Sequence, residues 1–422
     1  MSSTNQTRTN QETVHQMPLS FQKTQLDNGL TIIGEHNPRA QSFAAGYFVN
    51  TGARDEDEAV AGVSHFLEHM MFKGTDKRSP EQINREFDEL GASYNAYTSE
   101  ERTVYYGAVL AERGARLLDL LTDMMRPALR QSDFDLEKNV ILEEIAMYQD
   151  RPGFKVFEGG NAKFYNGYPL GNSVLGTSES ITALQQQQMQ RYFETRYAPN
   201  NMLLSVAGNY DWDEVVAQAR ELTQSWQPST TERGYPDFSP KRGQDAVQDT
   251  TLKRAHVALF APSVSAQDEL RYAAAVLASC IGDSSGSRLY WALVDKGLAD
   301  SASLSHDPSD GAGAFVGYLS TAPERLDEVV ALYQEVLAGV EADGVTEEEW
   351  RRAQRKLATG VTLRGETPFG RLMSLGSAYL YNDEYQSVQD TIDAVFASSL
   401  EQASELLARR PFSGLYTFAL RP

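Results

Sequence analysis

Cysteine is all but missing from this 422-residue chain: Cys280 stands alone. One thiol cannot close an intrachain disulfide, and it rules out a metal site built from several thiolates. Long apolar runs are missing too, and none reaches the roughly 18 residues that a membrane-spanning helix needs. Positive charge is in deficit, with 38 Lys+Arg against 58 Asp+Glu and a formal net charge of −20. That balance argues against a nucleic-acid partner and against docking on anionic membranes. The first 17 residues (MSSTNQTRTNQETVHQM) lack the apolar segment of a secretory signal. With a single Arg and a single Glu they make a poor transit peptide, so a disordered tail on a cytoplasmic protein is expected. What remains is an ordinary globular composition, 41% hydrophobic, on a chain long enough for roughly two to four domains.

One stretch organises the rest, Ala59 to Gly74 (AVAGVSHFLEHMMFKG). On a helix His65 and His69 lie four residues apart, so both rings fall on one face within reach of a single ion. Glu68 stands on the same side. Val63, Phe66, Leu67, Met70, Met71 and Phe72 fill the other faces and predict a dry surround. Gly74 reads as the helix stop. Two core histidines and a salt-bridged glutamate are the ordinary alternative, but the three together point to a metal. The H-x-x-E-H order is the reverse of the zincin H-E-x-x-H. Two neutral imidazoles are a partial ligand set for zinc, which takes three protein ligands in a catalytic site. Glu68, beside the metal, has the place and chemistry of a general base. The third ligand must come from elsewhere in the chain.

Before the motif the sequence predicts a hairpin around Asp27-Asn28-Gly29 and a strand over 42–50. After it come a helix opened by Ser79 and Pro80, a hairpin over 92–110 and a helix over 111–125. Ser132 is expected to cap a long acidic helix, SDFDLEKNVILEEIAMYQD. Glu137 and Glu144 share one face of it, seven residues apart. Glu143 rivals Glu144, and a solvated acidic face fits the same spacing. Helices should continue to about residue 196, then a strand over 202–206 and a helix over 212–226. Residues 227–244, with three Pro and two Gly, read as a linker.

Beyond the linker the same order of elements recurs, with a strand over 256–261, a strand over 313–321, a Thr346-capped helix and a closing strand over 414–420. Ser132 plus twelve is Glu144, whereas Thr346 plus twelve is Ala358. The second half therefore reads as a divergent copy without the ligand and without His-x-x-Glu-His. The expected fold class is α+β with two homologous domains, each a mainly antiparallel sheet with helices on one side. The expected division is 1–17 as tail, 18–226 as the zinc-binding domain, 227–244 as linker and 245–422 as the second domain.

HFLEHMMFKGT (65–75), GASYNAYTSEERTVYY (91–106), EKNVILEEIAMYQDRP (137–152) and SGSRLY (285–290) together resemble the pitrilysin–insulinase family of zinc peptidases. The likeness is nearest to the mitochondrial processing peptidase β-type subunits and their bacterial relatives. It implies one zinc ion per chain held by His65, His69 and Glu144, with Glu68 as base and Glu137 orienting the ligands. It implies that Asn95 and Ala96 lie on a strand edge to which a peptide substrate adds as a further strand. It also implies two subunits closing around a chamber. Members competent alone carry L-R-E-K-x-G-L-A-Y after S-R-L; here the stretch is LVDKGLAD (293–300), one residue short, with Val294 and Asp300 at the Arg and Tyr positions. The sequence thus predicts a zinc endopeptidase subunit for short or unfolded peptides, paired with a homologous chain that supplies Arg and Tyr. A homodimer is the alternative assembly, and a weakly active scaffold subunit the alternative function.

Overall fold

The computed structural model describes residues 19–422; the expected tail, 1–17, lies outside the described residues. In the first half β1 (Ser20–Gln25) and β2 (Thr31–His36) form the predicted hairpin, and β3 (Ser42–Val49) follows. Next come α1 (Val63–Met70), α2 (Pro80–Leu90), the β4–β5 hairpin (Ser93–Thr98, Thr103–Leu110) and α3 (Gly114–Met124). Four further helices are α4 (Gln131–Gln149), α5 (Pro152–Tyr165), α6 (Ser178–Ala183) and α7 (Gln186–Arg196); β6 (Met202–Gly208) and α8 (Trp212–Thr223) end this half. Its six strands run in the order β1-β2-β6-β3-β5-β4, which leaves β4 with one free edge. All neighbours are antiparallel except β2 and β6.

The second half holds β7 (Gly243–Gln248), β8 (Ala255–Ser263), α9 (Arg271–Gly282), β9 (Ser301–Ser309), β10 (Ala312–Thr321) and α10 (Leu326–Asp343). Then follow α11 (Glu347–Gly365), α12 (Pro368–Asn382), α13 (Val388–Ala397), α14 (Leu400–Ala408) and β11 (Tyr416–Arg421). The sheet order is β7-β11-β8-β10-β9. Regular structure resumes at Gly243, inside the span expected as linker, because β7 pairs in parallel with β11. A strand so exposed carries little apolar patterning to announce it.

Two local expectations are corrected. α1 ends at Met70, four residues before Gly74, which lies in the following turn with φ 96°. The cap of α4 is Arg130, whose side chain makes no capping bond, so Ser132 sits within the first turn. The cap of α11 is Thr346, as expected, bonded reciprocally with Glu349. Aligning cap with cap moves the register of the two copies by two residues. Glu144 then corresponds to Gly360 and Glu137 to Ala353, rather than Glu144 to Ala358. The second copy still offers no ligand.

Both α4 and α11 are 19 residues long, and each is followed three residues on by a helix beginning with Pro. Those following helices cross to the other half. α5 lays Val156 and Phe164 on Phe260 and Phe418 of the second sheet. α12 lays Leu372, Leu375 and Tyr379 on Ile33, Phe48 and Val104 of the first. Each sheet is thus covered on one face by helices of its own half and on the other by one exchanged helix. Gly160 and Gly376 permit the close approach: a Cβ there would meet Phe260 at 2.5 Å and Phe48 at 2.4 Å.

A buried ion pair pins the exchange. Arg371 on α12 donates from Nε and Nη2 to the two oxygens of Glu35 on β2 at 2.7 and 2.6 Å, and the Tyr385 hydroxyl adds a bond at 2.7 Å. The two charged side chains are 8% and 3% exposed. Arg371→Leu is expected to lower unfolding stability by about 3–5 kcal/mol, because Glu35 is left charged and buried without its counterion. Urea denaturation followed by circular dichroism measures this, and a change under 1 kcal/mol (roughly the exposed-pair range) contradicts it.

Candidate metal centre

α1 and α4 meet through Phe66 and Phe134, whose rings stack at 4.7 Å with an interplanar angle of 11°. That contact turns His65 and His69 toward the carboxylates of α4. The imidazoles lie edge to face at 4.8 Å. His69 Nε2 is 3.3 Å from Glu144 Oε2, and His65 Nε2 is 3.8 Å from the same oxygen. Among the described residues these three form a group with one ligand atom each, all within 4.8 Å of one another. With ligands about 2.0–2.1 Å from zinc, neighbouring corners of a tetrahedron are about 3.3 Å apart. The donor set fits such an ion. Glu143, the rival, is exposed on the solvent side of α4.

Glu137 stands one repeat earlier and accepts from His69 Nδ1 at 2.9 Å. That bond fixes the His69 ring with its Nε2 facing Glu144. The other Glu137 oxygen is 2.5 Å from Lys73 Nζ. Lys73 has no signal in the sequence, because it lies beyond the end of α1 and reaches Glu137 only through the turn. Glu68 accepts from the Thr98 hydroxyl at 2.6 Å. Thr98 ends β4, and only the sheet topology brings it there. Asn95 is exposed and Ala96 is 8% exposed on the same strand, opposite Tyr106 and Tyr105. The Ala96 N–H is accepted by the Asn95 side chain at 2.9 Å.

The site polarises its own titrations. Burial pushes the Glu68 carboxyl upward, against the hydroxyl of Thr98. Burial also lowers His65 to about 4, with the neighbouring His69 charge adding to the effect. His69 is likewise pulled down by burial, but the bonds to Glu137 and Glu144 outweigh this and raise it to about 9. Glu137 is raised by burial and lowered further by His69 and Lys73, ending below the usual range. The bond from His69 holds Glu144 low as well.

Val294 and Asp300 belong to the second half. Val294 ends a π-helical turn (Tyr290–Val294) and packs against that half's core. Asp300 pairs with Arg254, whose Nε donates at 2.6 Å, and its N–H donates to Ser320. Neither side chain can donate as Arg or Tyr would.

The family model described as Insulinase (Peptidase family M16) matches residues 31–178, and Peptidase M16 inactive domain matches 183–357. An uncharacterized zinc protease of Mycobacterium leprae is 34% identical over 91% of this chain and 88% of its own length. The chain belongs to peptidase family M16. This confirms the pitrilysin–insulinase resemblance and the two-domain α+β fold. Among solved structures, a protease from Helicobacter pylori superposes with TM-score 0.86 at 19% identity, covering 96% of this chain and all of that one. An M16-like peptidase from Alicyclobacillus acidocaldarius gives 0.84 at 24% identity, covering 96% and 99%. The label "inactive" on the second M16 domain agrees with its Gly360 and Ala353. No helix of the described residues is long and apolar enough to cross a membrane.

In metal-free protein the two imidazoles should titrate far apart. Against an unfolded value of about 6.5, His69 contributes stability that is full below that pH and lost as pH rises through about 9. His65 contributes stability that is full above about 6.5 and lost as pH falls through about 4. Imidazole chemical shifts in chelator-treated protein should resolve one histidine neutral and one charged at pH 7; two histidines titrating together near 6.5 contradict this.

Proposed function

We propose that this M16 chain is a zinc metalloendopeptidase subunit for short or unfolded peptides. The observation that carries the reading is the convergence of His65, His69 and Glu144 beside a half-buried carboxyl, Glu68, that belongs to no ligand set. His65 and His69 would hold zinc through Nε2 and Glu144 through Oε2. Bound there, zinc supplies a Lewis acid that polarises the scissile carbonyl and acidifies water. Glu68 takes the proton of the attacking water and later delivers it to the leaving amine. Its raised pKa makes it a stronger base than an exposed glutamate, and the Thr98 hydroxyl fixes one of its oxygens in place. Glu137 orients His69 and stabilises the charge the imidazole acquires, with Lys73 balancing that carboxylate.

The free edge of β4 suits a peptide added as a strand, read by main-chain bonds rather than by sequence. Asn95 caps the Ala96 N–H on that strand, so it either exchanges that bond for the peptide's carbonyl or guards the edge when no peptide is bound.

With Val294 and Asp300 at the two donor positions, the site lacks groups for the oxyanion and the peptide backbone. Such donors are typically worth about 3–4 kcal/mol each. A second, homologous chain is proposed to supply them as Arg and Tyr, making a heterodimer. A homodimer is the alternative, and a structural subunit is the reading left if no partner restores turnover.

Glu68→Gln should keep zinc and lose at least ~10²-fold in peptide turnover; retained activity sinks the mechanism. Glu144→Ala should lose zinc on dialysis and Glu143→Ala should keep it, as read by metal analysis. For the assembly, the isolated chain is assayed on a fluorogenic peptide and the homologous neighbour is then added. Turnover should rise by roughly two orders of magnitude, whereas full activity from the chain alone argues for independent donors.

A further inference from the structure

Helix α1 is eight residues long, about two turns, and far too short to be stable by itself. Its cap position, Gly62, has φ 90° and makes no side-chain bond. A Cβ at Gly62 would lie 2.6 Å from the Leu175 carbonyl oxygen, so no capping side chain fits there. The cap comes from a distance instead. Glu56 Oε2 accepts the Gly62 N–H at 2.6 Å, and Oε1 accepts the Ser64 N–H at 2.7 Å. Both acceptor oxygens thus face the positive end of the helix dipole.

Glu56 is 8% exposed. Burial drives its carboxyl up to about 8 against the pull of the Ser64 and Gly62 N–H groups, so helix and carboxyl depend on each other. The residue before it turns the opposite way. Asp55 pairs with Arg196 and Arg233, and Arg233 reaches Asp310 of the second half at 3.4 Å. The Ser64 hydroxyl continues to Tyr192 at 2.9 Å, and Tyr192 to Thr51 at 2.9 Å. One short turn therefore ties the interface between the halves to the start of α1.

His65 has the most to lose. Its Nδ1 is buried without a hydrogen-bond partner, whereas His69 is tethered by Glu137. Only the placement of the α1 backbone aims His65 at Glu144. We propose that Glu56 is a positioning residue for the metal centre: by holding the N–H groups of Gly62 and Ser64 it fixes the rotation of α1, and so the convergence of His65 with His69 and Glu144. The inference rests on the zinc reading of the site.

The test is zinc affinity, measured by chelator competition on the full chain for the wild type, Glu56→Gln and Glu56→Asp. Glu56→Gln keeps the shape but replaces one acceptor with a donor facing an N–H. Glu56→Asp keeps the carboxyl and withdraws it by one methylene, and it carries the test if the glutamine variant does not fold. Zinc affinity should fall by roughly 10–100-fold for Glu56→Gln, with Glu56→Asp between it and the wild type. The rise in Tm on adding zinc should shrink in the same order. Affinities within twofold of wild type, or Tm lowered equally with and without zinc, overturn the proposal and leave Glu56 a stability residue only. A wild-type chain that binds no zinc overturns the reading of the site itself, and this inference with it.

Discussion

The stacking of Phe66 on Phe134 joins α1 to α4, the two helices that carry His65, His69 and Glu144. Phe66 follows His65 on α1, and Phe134 precedes Glu137 by one turn of α4. Such a ring pair contributes about 0.5–1.5 kcal/mol beyond its buried area, a modest figure for stability. Its geometric effect is larger, since two rigid rings in contact fix the rotation of both helices together. Leu67, Met70 and Met71 are at most 1% exposed around it and keep water away from this side of the histidines. Burial lowers His65, whereas the α4 carboxylates outweigh burial at His69. That is why two histidines one helical turn apart take opposite protonation tendencies.

The exchange of α5 and α12 places a second constraint on the same helix. α4 leads directly into α5, whose aromatic face is buried in the other half. The halves cannot part without exposing Phe164, Phe260 and Phe418 to water, at a cost of about 1.5–3 kcal/mol for each fully uncovered side chain. The orientation of Glu144 is therefore tied to the docking of the second half, although that half contributes no ligand. The Arg54–Glu101 pair, with Tyr381 donating to Glu101 at 2.6 Å, binds the β4–β5 turn to α12 in the same way. The strand edge and the metal helices are held by one interface.

The parts of the site that repeat along a helix were legible in the sequence. His65 and His69 follow the 3.6-residue period, as do Glu137 and Glu144, and the caps expected at Ser79 and Thr346 stand where the structure has them. Ser132 misled because a serine near a helix start resembles a cap whether it stands at the cap or in the first turn. Gly74 misled because a positive-φ glycine marks a turn, and here the turn begins after α1 has already ended. Lys73, Thr98 and Glu56 carry no local signal: each meets its partner through a turn, a sheet register or a chain reversal. The exchanged helices were hidden for the same reason, since an apolar helix face does not announce which sheet it will cover.

The two copies also differ at the positions that face the histidines. In α11 the position of Glu137 is Ala353, which is 3% exposed and packs into the second core. Replacing a buried carboxylate with an apolar residue is often neutral or favourable for stability, so the second half has the arrangement that packing alone would choose. The first half departs from it at each point that bears on the histidines. Glu137 is buried with 6% of its side chain exposed and holds its charge through His69 and Lys73. Glu56 is buried with both oxygens turned to N–H groups of the α1 start. His65 keeps an unpartnered nitrogen in a dry core, which costs about 1–3 kcal/mol. Packing alone calls for none of these three, and all of them lie along the helices that bring His65 and His69 to Glu144.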